Sequence, residues 1–352
     1  MNTFGKNLRL TTFGESHGKA IGGVIDGFPS GFLIDFDELF EEIAKRAPGS
    51  SALVTQRKET DMPEFLSGIT EEGITLGTPI GFIIRNSDNR SRDYSELAEK
   101  YRPNHADYTY QAKYGIRDHR GGGRASARET ANWVVAGALA HQWLSKVHHI
   151  HIESLLSGAG KVSFTDSLIE NLSRGAVQNS KLSLSEDEIQ KIENEIKEAH
   201  KQGDSVGGMV TCVIKGMPAG IGSPVADKLQ SRLAQTMMSI NAAKGFEYGA
   251  GAKLASRKGT EVLDIFRYDD GHIYTETNYS GGIQGGISNG MPIFFNVAFK
   301  PTPTVMQEVE TITRNNEQTI LKMKGRHDPC VAVRAVPVVK AMAALVVADF
   351  LI

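Results

Sequence analysis

Residues 118–130 read Asp-His-Arg-Gly-Gly-Gly-Arg-Ala-Ser-Ala-Arg-Glu-Thr, and they join a glycine loop to a long apolar segment. Three consecutive glycines allow positive φ angles and a close approach of the backbone to a ligand. The spacing of Ser126 and Glu129 is that of a capping box, which predicts a helix that starts here. The next segment, 130–147, is rich in Ala, Val, Leu and Trp and has no proline, which is typical of a buried helix. We therefore expect this loop and helix to organise the fold.

The same loop favours a phosphate site, although an alternative stays open. The free N–H groups and the macrodipole at a helix N-terminus favour an anion. Arg120, Arg124 and Arg128 recur every four residues, as on one helix face. Glycine-rich turns before helices are common, however, and arginines near them often only solvate a surface. The pattern is neither the Walker motif nor the Rossmann motif, so it names no nucleotide.

Composition sets the class of protein. The chain has 352 residues, 40% hydrophobic and 23% charged, and a formal net charge of −2, as in an ordinary globular protein. A nearly neutral chain argues against a general nucleic-acid or membrane partner, because such binders carry a broad basic excess. We see no signal peptide and expect no run of the ~20 apolar residues that a membrane span needs. Cys212 and Cys330 lie far apart without metal-ligand spacing, which suits a reducing cytoplasm.

The remaining pattern predicts mixed α/β structure without a linker or repeat. Ser185 and Glu188 form a second capping box, and Ser223-Pro224 has the order of a helix start. Pro337 is expected to open a closing helix after a strand at 330–336. Further elements are predicted from periodicity: a helix at 35–46 and strands at 20–26, 74–85, 209–215, 262–268 and 291–299.

Two histidines are candidates for proton transfer. His17 lies in the turn 14–18 between two glycines, and histidine titrates near neutral pH. An ordinary turn histidine is an equally good interpretation of that position alone. Arg102 and His105 stand beside a proline turn, fewer than twenty residues before the glycine loop. They could therefore share its site.

The histidine pair His149 and His151 is not predicted to bind a metal. His149 and His151 would place both imidazoles on one face of a strand. No acidic or cysteine ligand accompanies them at a standard spacing, so a polar strand face is favoured over a metal site. We expect no metal in this protein.

Eight motifs together resemble the chorismate synthase family, in the family's order from residue 5 to the C-terminus. They are 14–18, 102–107, 120–130, 203–208, 239–242, 281–290, 300–304 and 325–330. The resemblance implies an anti-1,4-elimination that converts 5-enolpyruvylshikimate 3-phosphate to chorismate and phosphate and requires reduced FMN. It also implies a single α/β domain, 1–352, in which antiparallel sheets sandwich helices. The family assembles as a homotetramer, and no separate flavin reductase domain is expected.

The resemblance also assigns residues. His17 would protonate or stabilise the departing phosphate, and His105 would help to set the protonation state of the flavin. Asp328 would act with flavin N5, which is thought to receive the substrate's C6 proton. Substrate-binding arginines of the family match Arg46, Arg102 and Arg128. The family's FMN contacts fall on Arg124, Ala125, Ser126, Asn241, Ala242, Gly285, Lys300, Pro301, Thr302, Pro303, Thr304 and Arg326. Such local basic clusters suit anionic ligands, since phosphates and carboxylates are held by Arg, Lys and backbone N–H groups.

The sequence departs from the family in four places. Ala125 stands where serine is common, which leaves Ser126 alone to cap or to contact the cofactor. Asn104 replaces a glycine, although Asn tolerates left-handed geometry. Ala47 and Ala52 occupy positions where many members carry arginine. Whether the basic pair 57–58 compensates is open.

Two rival functions are weighed against the synthase. The first is an FMN-dependent oxidoreductase acting on another anionic substrate, but His17 and His105 with so many arginines exceed what a flavin alone requires. The second is a non-catalytic binder of a polyanion such as RNA, which predicts a broad basic face and steep salt dependence. No nicotinamide fingerprint is visible, so dependence on an external reductant is favoured: NADPH would be only a source of reducing equivalents, with a separate flavin reductase as a possible partner. Whether the chain also reduces its own flavin with NADPH is left open.

Overall fold

A computed structural model of the chain describes residues 2–47, 49, 61–86, 97–119, 121–174, 182–322 and 328–352. The strands, in chain order, are β1 (Thr3–Phe4), β2 (Arg9–Gly14), β3 (Ala20–Asp26), β4 (Pro63–Phe65), β5 (Ile80–Arg85), β6 (His151–Ala159), β7 (Val162–Ser163), β8 (Gly208–Lys215), β9 (Ala243–Tyr248), β10 (Phe266–Asp269), β11 (His272–Thr275), β12 (Ile283–Gln284), β13 (Ile287–Ser288), β14 (Ile293–Phe299), β15 (Glu308–Ile312) and β16 (Gln318–Lys322). The helices are α1 (Phe36–Arg46), α2 (Asp107–Tyr114), α3 (Thr130–His148), α4 (Thr165–Arg174), α5 (Glu186–Lys201), α6 (Leu229–Met238) and α7 (Val331–Leu351).

Two antiparallel five-stranded sheets carry the fold. The first has the order β1-β2-β3-β5-β4, and the second has the order β7-β6-β8-β14-β9. The central strand of the second sheet, β8, consists mostly of buried residues, because it has neighbours on both edges, α7 on one face and α4 on the other. The pairs β10-β11, β12-β13 and β15-β16 form small hairpins outside the two sheets.

Helices fill the space between the sheets. The helix α3 packs on β2 and β3 of the first sheet and on α7, and α7 packs on β6, β8 and β14 of the second. Gly137 permits the close approach of α3 to α7, since a Cβ there would lie 2.5 Å from the Cα of Ala341. The α1 helix packs against both of them. Antiparallel sheets thus sandwich helices, and the predicted fold class is confirmed.

The last helix corrects two expectations. Residues 330–336 do not form a strand, and Pro337 does not open a helix but lies inside α7. The proline removes only one backbone donor, while burial of the helix outweighs the strand propensity of its valines. Of the described helices, α7 alone is long and apolar enough to cross a membrane, so the expectation that no such run exists is wrong. Most of its residues are buried against α1, α3 and the second sheet, as in a core helix.

The other predicted elements are mostly confirmed. Asp35 caps α1, and the box of Ser185 and Glu188 opens α5. The helix predicted from residue 223 is wrong in its start, because α6 begins only at Leu229. The strand predicted at 74–85 forms only in its second half, as β5, and the one predicted at 262–268 begins only at Phe266, as β10. Two helices, α2 and α4, were missed.

Candidate active site

The glycine loop enters α3 through two short 3-10 turns, Gly123–Ala125 and Ala127–Glu129. Ser126 Oγ accepts a hydrogen bond from Arg128 N at 3.2 Å, but the predicted capping box is wrong. Glu129 turns inward instead and accepts from Arg124 Nη1 at 2.6 Å and from the hydroxyl of Thr12. Burial raises the pKa of Glu129 above its ordinary value, although the contacts of Thr12 and Arg124 act in the opposite direction. The α3 helix itself ends one residue later than predicted.

Arg124 and Arg128 diverge rather than share a helix face, because the turns between them are not α-helical. Arg124 reaches the first sheet, where its Nη2 donates to Thr12 Oγ1 at 2.7 Å. Arg128 points to Asn86 and Asp61. The prediction of one arginine face is therefore wrong for this pair, and Arg120 lies outside the described residues.

His17 lies on the turn between β2 and β3 and packs on the glycine loop. Gly121, at φ 150°, lies so close that an added Cβ would come within 2.8 Å of His17 Nε2. Asn86 fixes this turn, since its Nδ2 donates to Gly18 O at 2.9 Å and to Glu15 O at 3.2 Å. Turn and loop, which are distant in sequence, therefore form one wall of the site.

Arg102 and His105 meet on the carboxylate of Asp107, at the start of α2. Arg102 Nε donates to Asp107 Oδ2 at 2.8 Å, and His105 Nδ1 lies 3.0 Å from Asp107 Oδ1. Burial alone raises the pKa of Asp107, but the hydrogen bonds from Arg102 and His105 outweigh it and hold the pKa well below its usual range. The ionised carboxylate can only accept, so Nδ1 of His105 carries a hydrogen. Arg102 Nη2 also donates to Gly121 O at 3.1 Å, which ties this cluster to the glycine loop.

Arg46 and Arg128 meet on a buried carboxylate that the sequence analysis missed. Asp61 accepts from Arg46 Nη1 through one oxygen and from Arg128 Nη1 through the other. Arg46 is further held by Thr130 Oγ1 at 3.1 Å and by the carbonyl of Ala127 at 2.7 Å. No periodic signal marks Asp61 in the sequence; only the need of two buried guanidiniums for a counter-charge points to an acid.

Asp328 lies beside the backbone of Arg46. Arg334 on α7 connects them, because its Nη1 donates to Asp328 Oδ2 at 3.0 Å and its Nε donates to Arg46 O at 3.1 Å. A small cavity of about 20 Å³ is bounded by both residues together with Asn241 and Ala127. Arg334 was missed because its segment was predicted to be a strand.

The segment 300–304 joins the same region. Lys300 N donates to Ala242 O at 3.0 Å, and Lys300 Nζ donates to Asn104 O at 2.6 Å. Ala242 and Asn104 both have left-handed backbones, at φ 68° and 57°. Asparagine tolerates this conformation, which agrees with its presence at position 104, where the family has glycine. Burial and the nearby Lys244 lower the pKa of Lys300. Thr302 Oγ1 donates to Asp328 O at 2.9 Å.

Several predicted residues stand apart from this cluster. Gly285 is exposed at the tip of the β12-β13 hairpin and does not line the cleft described below. Arg326, Ala52 and the basic pair 57–58 lie outside the described residues. Ala47 is buried directly after Arg46.

The histidine pair does not share a strand face, so that expectation is wrong. His149 is the left-handed C-cap of α3 at φ 56°, and only His151 belongs to β6. Among the described residues no cluster of three His, Cys, Asp or Glu could hold a metal.

A cleft of about 1450 Å³ opens beside the glycine loop, and it is larger than most small-molecule sites. His105, Asp107, Arg124 and Asn241 line it with the three glycines of 121–123. Asn241 Nδ2 donates to Ala125 O at 2.8 Å. Its Oδ1 is buried and has no hydrogen-bond partner among the described residues, so a ligand N–H or O–H group would satisfy it.

The fold is an α/β sandwich, and its candidate site brings histidines, carboxylates and buried arginines together around the glycine loop, as in an enzyme site. The family model of chorismate synthase matches residues 8–352. Proteins named chorismate synthase from Christiangramia forsetii and Bacteroides fragilis are each 53% identical, over 350 and 356 residues, which is 99% of this chain and 97% of theirs in both cases. A crystal structure of chorismate synthase matches with a TM-score of 0.76 and 31% identity, over 99% of this chain and 92% of that one.

The chain belongs to the chorismate synthase family. The resemblance seen in the eight sequence motifs is thereby confirmed. The predicted function is confirmed with it: the chain is a carbon–oxygen lyase of the shikimate pathway that forms chorismate.

Proposed function

We propose that the described cluster is the active site in which phosphate is eliminated from 5-enolpyruvylshikimate 3-phosphate, with reduced FMN as cofactor. The observation that carries this proposal is one continuous chain of polar contacts through the site. It runs from the turn that bears His17 through Asn86, Arg128, Asp61, Arg46 and Arg334 to Asp328.

Reduced FMN, when bound, supplies an electron-rich ring that promotes the elimination without net redox change. The large cleft and the unsatisfied Asn241 Oδ1 support such a group here. Arg124 and Asn241 line this cleft and would contact FMN there. The other assigned residues do not line it, and their contacts with FMN are proposed from the resemblance: Ala125, Ser126, Ala242, Lys300, Pro301, Thr302, Pro303 and Thr304. The guanidinium of Arg124 is hydrogen-bonded to Thr12 and Glu129. Arg124 would therefore shape the wall of the cleft as well as bind FMN. Gly285 and Arg326 remain proposals from the resemblance alone.

His17 would act as the general acid. As an imidazolium it would donate its proton to the oxygen of the departing phosphate while the C–O bond breaks, which suits a histidine beside a dianion. The turn that bears it is fixed by Asn86 and packs on Gly121, so the ring would keep its orientation through the reaction.

Asp328 and His105 would assist the transfer of the second proton of the reaction, the one that leaves C6 of the substrate. Asp328 forms an ion pair with Arg334, and its carboxylate oxygens would accept a proton or hydrogen bonds. His105 would present one tautomer to the cleft, since Asp107 accepts from its Nδ1. Arg46, Arg102 and Arg128 would bind the anionic groups of the substrate.

The same proposal covers the setting of the enzyme. Residues 1–352 would form one domain without a flavin reductase of its own, acting in the cytoplasm as a homotetramer. NADPH would serve only to reduce FMN, through a separate reductase. The alternative is an FMN-dependent oxidoreductase acting on another anionic substrate.

An anaerobic assay with photoreduced FMN tests the proposal. Phosphate and chorismate should appear in equal amounts from 5-enolpyruvylshikimate 3-phosphate. Reduced FMN should not be consumed, which excludes the oxidoreductase. Absence of phosphate release would lead us to abandon the cofactor and site assignment. An aerobic arm with NADPH and FMN should give product only when a separate reductase is added.

A further inference from the structure

The carboxylate of Asp61 is placed to orient two arginines at once. Arg46 comes from the last turn of α1, Arg128 from the 3-10 turn before α3, and Asp61 from the segment that leads into β4. Each of its two oxygens accepts from a different guanidinium. The relative orientation of both planar groups is therefore fixed by one side chain from a third part of the chain.

Burial makes this contact hard to replace. The exposed fractions are 1% for Arg46, 2% for Asp61 and 8% for Arg128, so water does not compete for these charges. Removing one partner from such a group leaves a buried charge without compensation. Arg46 also donates to Thr130 Oγ1 and to Ala127 O, and Arg128 Nε donates to the amide oxygen of Asn86, so Asp61 is the carboxylate that these two guanidiniums share.

We propose that Asp61 is a positioning residue, which holds Arg46 and Arg128 in the geometry that binds the anionic substrate. The inference rests on the proposed substrate-binding role of the two arginines. Asn86 contacts both Arg128 and the turn that bears His17. The contact of Asp61 with Arg128 therefore also fixes the position of the substrate-binding arginines relative to His17, the proposed general acid.

The variant Asp61→Asn tests this role with the least disturbance of the backbone. Asp61 has φ 49°, a left-handed conformation that asparagine tolerates better than alanine. An amide keeps the shape but offers only one acceptor oxygen, and its NH₂ faces a guanidinium. A misplaced binding group costs on the order of 100-fold. We therefore expect the KM for 5-enolpyruvylshikimate 3-phosphate to rise by about 10- to 100-fold, with kcat changed far less, because binding arginines act on ground state and transition state alike.

Binding without turnover separates positioning from folding. Calorimetric titration of the substrate into protein loaded with oxidised FMN should show the same loss in Asp61→Asn, while FMN affinity stays within about twofold. Asp349→Asn is the matched control, because Asp349 is 4% exposed and pairs with Arg232 rather than with Arg46 or Arg128. Arg232 borders the large cleft, so the FMN affinity of this variant is measured as well. The control variant should lower the melting temperature and leave the substrate affinity unchanged.

Three outcomes would overturn the inference. One is a native substrate affinity in folded Asp61→Asn. A second is a tighter affinity in that variant, which would make Asp61 a competitor for the arginines rather than their support. If the variant does not fold, the crystal structure of the native protein with substrate and oxidised FMN decides: both contacts of Asp61 should persist, and loss of either contradicts positioning.

The arginines themselves distinguish this failure from a failure of the proposed function. Arg46→Lys and Arg128→Lys should each weaken substrate binding, because lysine cannot reproduce the planar fork. If they do so while Asp61→Asn binds normally, only the positioning role fails. If neither lysine variant changes the affinity, the substrate-binding assignment itself is wrong.

Discussion

Asp107 and Asp349 are each 4% exposed and each bind an arginine, yet they hold different groups beside the large cleft, which Asp107 and Arg232 both line. Asp107 holds side chains, Arg102 and His105, which belong to the glycine-loop site. Asp349, near the end of α7, accepts through its Oδ1 from the backbone N–H groups of residues 6, 7 and 8, and through its Oδ2 from Arg232. Burial and ion pairing are the same in both. Both carboxylates accept from the main chain and from an arginine. What differs is that Asp107 also holds His105, a predicted catalytic residue, and we propose that this contact separates a functional carboxylate from a structural one.

The largest expected effect is a loss of catalytic rate when His17 is replaced. His17→Ala should lower kcat by about 10²- to 10⁴-fold, the range that a general acid supplies. FMN binding and the melting temperature should change little, because His17 is a half-buried side chain on a turn. Phosphate release under anaerobic conditions measures the rate, and flavin fluorescence measures binding. His272→Ala, exposed on β11, is the control. A native rate in the His17 variant would remove its role as the acid.

The next effect belongs to the structural side. Asp349→Asn should lower the free energy of unfolding by about 3 kcal/mol, the low end for a buried pair, because Asp227 still pairs with Arg232. Urea denaturation followed by circular dichroism measures the loss. Both kcat and KM should stay within about twofold of the native values. A rise in KM comparable to that of Asp61→Asn would show that the two kinds of carboxylate are not distinct.

The smallest effect is a dependence of stability on pH that Asp107 should confer. Its folded-state pKa is depressed below the unfolded value of about 3.9, so the stability it contributes is present above that pH. This contribution is lost as the pH falls from about 4 toward the folded-state pKa. The difference in unfolding free energy between the native protein and Asp107→Asn should therefore be constant from pH 7 to 5 and shrink below pH 4. A difference that grows with acid would contradict the sign of the shift.

Local chemistry explains what could be predicted. The cap of α1 at Asp35 and the capping box of α5 at Ser185 arise from contacts within a few residues, so the sequence pattern contains them. The buried stripe Leu168, Ile169 and Leu172 of α4 was also present as a pattern, and it was overlooked in a polar segment. These elements needed no knowledge of the fold.

Elements decided by burial were predicted wrongly. The valine-rich stretch of α7 favours a strand locally, and Pro337 suggests a boundary. Contacts with α3 and the second sheet override both preferences. The same reason applies to Glu129, whose spacing fits a capping box but whose carboxylate finds Arg124 and Thr12 in the interior.

The sequence by itself determined the motifs, the predicted roles of His17, His105 and Asp328, and the class of fold, because the order of eight short blocks carries that information. Only the tertiary structure decided which contacts hold these residues in position. Asp61 and Arg334 act on residues far away in the chain, and no periodicity records such a contact. A charged side chain can hold another in position only when folding has removed water from around both and has brought them into contact, and this depends on the tertiary structure.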